Sequence, residues 1–164
     1  MKTAKPTLVL VVASLLLGTG CGGGENYLEG SITQRFELGF DFTNIALIDG
    51  GLRVRFQDNV EYMEVGYEAT NTVLELILEP MPEGNAPDAE WLDVSSSIEL
   101  NRYVIIMPEK YLIIQDERLF PLVHQAEIVF SRPASAPGEK IAGQFHIVFE
   151  EGSTMRGGFA GRIE

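Results

Sequence analysis

The sequence predicts an all-β fold, a single antiparallel β-sandwich or small β-barrel preceded by a cleaved signal peptide. Three observations lead there. Apolar and polar residues alternate at period two over much of the chain, the spacing that sets one side of a strand against a core. Turn-forming clusters of Gly, Pro, Asn and Asp break the alternation about every eight to twelve residues, as in sandwiches and barrels. No 3.6-residue periodicity lasts beyond about two turns, so no long amphipathic helix competes.

Taken in order, Gly22 to Glu25 reads as a short flexible tether. From Leu28 to Phe42 the even positions Leu28, Ile32, Phe36, Leu38, Phe40 and Phe42 are apolar. That predicts one long bent strand, with Gly30 and Gly39 as bends. Ile45–Ile48 and Leu52–Phe56 flank Asp49-Gly50-Gly51 and predict a hairpin. Asp58-Asn59 is expected to close its second strand. Val60–Tyr67 and Val73–Glu79 read as further strands, the latter ended by Pro80 and Pro82. Pro80 to Asp93 is the main irregular segment, with one helical turn expected over Pro87–Trp91. Strands resume at Ser97–Asn101, Tyr103–Met107, Tyr111–Gln115 and Gln125–Phe130, with Pro108-Glu109-Lys110 as a turn and Arg132–Glu139 as a loop. The last segment is a hairpin about the turn Glu150–Ser153. Phe145, Ile147, Phe149, Phe159 and Ile163 take its core face. His146 and Arg156 lie outside, and Gly157 and Gly161 allow close packing.

The leader has its own physics. Lys2 and Lys5 precede an apolar run from Leu8 to Leu17, then small residues, then Cys21, the only cysteine. Ten helical residues are roughly 15 Å long, whereas a bilayer core of about 30 Å needs about 20 apolar residues. The run is too short to remain as a transmembrane helix and suits the core of an export signal.

Gly18-Thr19-Gly20-Cys21 at the end of this run resembles the processing site of bacterial lipoprotein precursors. The resemblance covers Met1 to about Gly24. Gly18 stands where such leaders usually carry an aliphatic residue, and Leu17 lies one position earlier. The resemblance implies removal of residues 1–20 and a lipid on Cys21, with residues 21–26 as acylated tether and residues 27–164 as the antiparallel β-domain. Several acyl chains at one residue anchor stably where a single chain binds marginally. Gly22 follows the cysteine, not the Asp that favours inner-membrane retention in some Gram-negative bacteria. The implied location is the cell envelope, at the outer membrane, facing the periplasm or the exterior. The terminal hairpin, with Gly143 to Phe145 and Gly158-Phe159, weakly resembles small all-β bacterial lipoproteins over the last 25 or so residues. It brings no active-site motif.

Processing before Cys21 leaves 144 of the 164 residues, enough for one sizeable core. It removes Lys2 and Lys5, so ten basic side chains face 24 acidic ones, a formal charge of −14. Such acidity argues against nucleic-acid partners and against a second, electrostatic hold on anionic lipid. A single cysteine allows no intramolecular disulfide, so packing alone must supply stability.

The sequence carries few chemical motifs. His124 and His146 lack the spacing of a metal site, and no metal or other cofactor is expected. No Gly-x-Ser-x-Gly elbow exists, and Ser95-Ser96-Ser97 reads as a loop. Asp88, Glu90 and Asp93 offer oxygen ligands without the spacing of a calcium loop, so a solvated loop with Trp91 tucked onto the core is expected. No catalytic residue is expected. Tyr103–Met107 and Tyr111–Ile114 are the most apolar internal runs; core burial is the simpler reading, and a partner surface or apolar ligand cavity the alternative.

The functional expectation is a membrane-anchored envelope lipoprotein with a non-catalytic structural or binding role, its ligand or protein partner open. A lipocalin-like carrier is the alternative, its apolar ligand in a cavity lined by Phe36, Phe40, Phe145 and Phe159. A hydrolase built on His124 or His146 with acids is a third and more remote reading.

Overall fold

The computed structural model describes residues 25–62, 67–82, 90–109, 112–116 and 118–164. The leader and Cys21 lie outside these residues, as does most of the helical turn expected over Pro87–Trp91. The alternating segments pair into two antiparallel sheets that pack face to face as a sandwich. The strands are β1 (Tyr27–Glu29), β2 (Phe42–Ile48), β3 (Gly51–Tyr62), β4 (Tyr67–Leu78) and β5 (Leu92–Asp93). They continue with β6 (Ile98–Glu109), β7 (Leu112–Asp116), β8 (Val123–Arg132), β9 (Lys140–Phe149) and β10 (Thr154–Arg162). One sheet runs β1-β10-β9-β8-β5 and the other β2-β3-β4-β6-β7. Along one side β2 meets β10 through an isolated parallel bridge, Ile45 to Ile163, and the Glu164 N–H donates to the Ile45 carbonyl at 2.9 Å.

Period two explains the core directly. Leu52, Val54 and Phe56 of β3 and Leu74, Leu76 and Leu78 of β4 point inward and are fully buried. Ile128 of β8, Phe145, Ile147 and Phe149 of β9, and Met155 and Phe159 of β10 meet them from the other sheet. Phe56 and Phe145 join the layers with ring centroids 6.2 Å apart, nearly edge to face. The terminal hairpin follows its expected faces. Phe145, Ile147, Phe149, Phe159 and Ile163 are buried, while Arg156 is exposed. Gly157 is required by packing, because a Cβ there would overlap the Phe145 ring.

Several boundaries differ from the sequence reading. The single strand expected from Leu28 to Phe42 is divided: β1 ends at Glu29, and a 3₁₀ turn occupies Ser31–Gln34. The chain then crosses to the other sheet before β2 begins. Gly30, at φ 133°, makes the break, and a Cβ there would overlap the Thr154 carbonyl oxygen. Ile32 is nonetheless buried from the 3₁₀ turn, and Phe36 and Leu38 are buried because an extended crossing alternates its side chains as a strand does. Phe42 leaves the inward set, since on β2 the inward positions are odd: Ile45 is buried and Phe42 is 38% exposed.

Asp58-Asn59 does not close β3, which continues to Tyr62 and pairs it with Tyr67 of β4. Val60–Tyr67 is therefore two strand ends and not one strand. Ser97–Asn101 and Tyr103–Met107 merge into one strand, β6, which pairs with β4 as far as Tyr103, across a register shift beside Arg102, and with β7 from Val104 on. Pro108 and Glu109 still belong to β6, so the expected turn does not begin at Pro108, and Lys110 lies outside the described residues. Trp91 is 48% exposed and does not cover the core.

Candidate functional site

Three polar regions compete for attention. The first lies at one end of the interior. The guanidinium carbons of Arg35, Arg102 and Arg118 stand 5.4, 5.2 and 5.6 Å from the centroid of the buried Phe36 ring, which also packs on Phe120 at 4.7 Å. Arg102 comes from the inward face of β6 and is buried. Arg118 Nη1 donates to the Arg35 carbonyl at 2.7 Å, and Arg35 pairs with Glu151 at 3.6 Å. A ring's negative face attracts such cations, so the cluster clamps the 3₁₀ turn and the crossing segment to the sandwich. Nearby, Asp41 and Asp58 share a hydrogen bond, and the Asn59 N–H donates to Asp41 Oδ2 at 3.1 Å. Burial raises the Asp58 pKa above its ordinary value, with the Asp41 charge and their hydrogen bond adding to the effect.

The second is an open cleft of about 520 Å³ at the other end, lined by Asp49, Gly50, Ile77, Glu79, Pro80 and the Ser96–Glu99 segment. Its carboxylates are not gathered. Among the described residues no group of three or more His, Cys, Asp or Glu side chains is placed to hold a metal ion.

The third is the outer face of the second sheet, where register sets side chains in rows. Asn44, Arg55, Glu75 and Asn101 form one row across β2, β3, β4 and β6. Arg55 Nε donates to Glu75 Oε2 at 2.5 Å, and Asn101 Nδ2 reaches Glu75 Oε1 at 3.4 Å and Glu99 Oε1 at 2.9 Å. Glu75 is 4% exposed although it faces outward, because these neighbours cover it. The next row is Phe42, Gln57, Thr72 and Tyr103, with Gln57 Nε2 donating to Thr72 Oγ1 at 3.4 Å. Its two ends, Phe42 and Tyr103, are 38% and 47% exposed. A bulge in β4 absorbs Val73 and keeps both rows on one face.

Of the residues singled out in the sequence, Cys21 lies outside the described residues, as does Asp88. His124 is exposed near one end of β8, and His146 is half-buried on the outer face of β9, opposite Glu127 and Arg156. Glu90 is exposed. Asp93 accepts from the Ser95 hydroxyl at 2.6 Å and the Ser95 N–H at 2.9 Å, which together lower its pKa. Phe36, Phe145 and Phe159 are buried and Phe40 is half-buried; Phe40 packs on Phe56 at 5.0 Å and Phe159 on Phe130 at 6.1 Å. The outward row ended by Phe42 and Tyr103 was not legible beforehand. The odd positions Ile45 and Leu47 carry the only signal that Phe42 faces out. Tyr103 opens an apolar run whose alternation is masked. No family model, no curated protein and no solved structure matches this chain.

Proposed function

We propose that the protein is a cell-envelope lipoprotein, held at a membrane by a lipid on Cys21, whose β-sandwich has a non-catalytic structural or binding role. The observation that carries this reading is the order of charge, short apolar run, small residues and lone cysteine at residues 2–21. The sandwich supports it by starting close behind. β1 opens at Tyr27, and the Asn26 side chain already caps the Ala160 N–H at 2.7 Å. Binding at the surface is favoured over the lipocalin-like alternative. The aromatic residues that would have to line a carrier's cavity pack on one another, ring to ring, across the sheets.

The anchor is tested by intact mass and fractionation. Mature wild-type protein should carry the mass of a diacylglycerol thioether at Cys21 and sediment with membranes. Cys21→Ser should abolish the lipid while leaving the thermal unfolding of the sandwich unchanged. A mature wild-type protein without lipid would overturn the reading.

A further inference from the structure

We propose that the outer face of the second sheet, between Phe42 and Tyr103, is a binding platform for a neutral, extended glycan chain. This names a ligand class for the binding role above and does not depend on the lipid anchor. Three features of the face point to that occupant.

The first is the placing of its aromatic residues. The described exposed large hydrophobic side chains are Phe42, Trp91, Tyr103, Leu119 and Leu122, and two of these share one cross-strand row. The row spans three strand spacings, so Phe42 and Tyr103 stand roughly 14 Å apart. Their rings are held by β2 and β6, not by loops, so little ordering is needed when a ligand arrives. Aromatic rings at such a separation suit the apolar C–H faces of sugars several units apart along one chain.

The second is the polar ground between them. Gln57 lies between the rings, donating to the buried Thr72, with the Arg55–Glu75–Asn101 network alongside. The half-buried amides of Gln57 and Asn101 offer both donors and acceptors, the pairing that sugar hydroxyls need. A protein interface normally has the reverse layout, an apolar centre with a polar rim. A lipid surface would meet a buried Glu75 and its network where it needs apolar contact.

The third is charge. The chain carries a formal −12, and on this face Arg53 and Arg55 stand against Glu75, Glu99 and Glu164, whose carboxylate accepts from Asn44 Nδ2 at 2.6 Å. A face with no net positive charge does not favour an anionic ligand. It gives no field to attract nucleic acid or a strongly acidic peptide.

The test uses the full-length mature protein in detergent, titrated calorimetrically with cellohexaose and with chitohexaose as probes. At least one should bind with a dissociation constant below about 1 mM. Phe42→Ala and Tyr103→Ala should each weaken it about tenfold, the size expected for losing one aromatic contact. Both side chains are substantially exposed, so thermal midpoints should hold, and a Tyr103→Phe variant should keep most of the affinity. Failure of both hexasaccharides to bind overturns the proposal, as does binding that both alanine variants leave unchanged. Sedimentation gives the remaining outcome. Wild-type protein that dimerises, with Tyr103→Ala monomeric, would mean that a second copy covers the face, and the glycan assignment would fall. None of these results bears on the lipid at Cys21, which mass spectrometry decides separately.

Discussion

Phe145 and Phe159 have 1% and 0% of their surface exposed, and their neighbours are other rings and backbone. Truncating either leaves a cavity that packed strands close only in part. Phe145→Ala and Phe159→Ala should each cost about 3 to 5 kcal/mol, a large share of the 5 to 15 kcal/mol typical of a domain. His146 faces outward from the same strand, and His146→Ala should change stability by less than about 0.5 kcal/mol. Urea melts of the three variants check this; equal losses would mean that the faces of β9 are wrongly assigned. At Asp58 the same scale yields a pH dependence. Its raised pKa means that the folded state binds a proton more tightly than the unfolded chain does. The stability this adds is complete below the ordinary aspartate pKa and is lost as pH rises through the raised folded value. Asp58→Asn stays uncharged throughout and keeps a polar group beside Asp41. It should therefore unfold at a higher temperature than wild type at pH 7, with the gap closing toward pH 3. A gap that widened on acidification would reverse the assigned sign.

Elements were legible from the sequence where alternation and turn chemistry agreed. The β2–β3 hairpin turns at Asp49-Gly50, where Gly50 takes φ 78°, and the β9–β10 hairpin turns where Gly152 takes φ 85°. Both were read from glycine beside alternating strands. The division of Leu28–Phe42 was not legible, because period two reports which way side chains point and says nothing about hydrogen-bond partners. Ile32 sits in a 3₁₀ turn and Leu38 in a crossing segment, yet both are buried as a strand residue would be. Long strands such as β6 were cut short for a related reason. Asn101 and Arg102 look like a boundary by residue type, but pairing with β4 and β7 carries the backbone through them. The same limit hid the outward row on the second sheet, since it exists only once four strands are in register. Gly30 marks the point where local chemistry does decide. Its φ of 133° is strained for any residue with a Cβ, and that Cβ would also press on the Thr154 carbonyl. Gly30→Ala should cost about 1 to 3 kcal/mol, felt first at the edge. Amide exchange at Tyr27–Glu29, which pair with β10, should accelerate well before exchange in β9. Unchanged protection at β1 would show that the 3₁₀ turn holds that edge without the glycine geometry.

The whole molecule has two unlike ends, and a lipid on Cys21 would choose between them. Asn26 is bonded to Ala160, beside the end of β10. The cleft of Asp49 and Glu79 lies at this end too, since Ile45 of β2 pairs with Ile163 and β2 runs on to the Asp49-Gly50 turn. Leu119 and Leu122, 74% and 72% exposed, lie at the other end, where the Leu122 carbonyl accepts from the Glu150 N–H beside the turn that starts β10. Thr154 and Ala160 are six residues apart on one strand, so the two ends are separated by about 20 Å. Four residues from Cys21 to Glu25 reach at most about 14 Å. An anchor at Cys21 therefore holds the Ala160 end near the headgroups, leaves the Leu119–Leu122 loop remote, and sets the Phe42–Tyr103 face on the flank, open to a long ligand lying beside the membrane. A fluorophore at Ser135, in the loop that bonds Gly138 to Ile163 at the tether end, should be quenched by headgroup-labelled lipid in vesicles carrying the acylated protein. One at Leu122 should be quenched far less. Stronger quenching at Leu122 would mean that the exposed leucines seek the bilayer and that the sandwich stands the other way up.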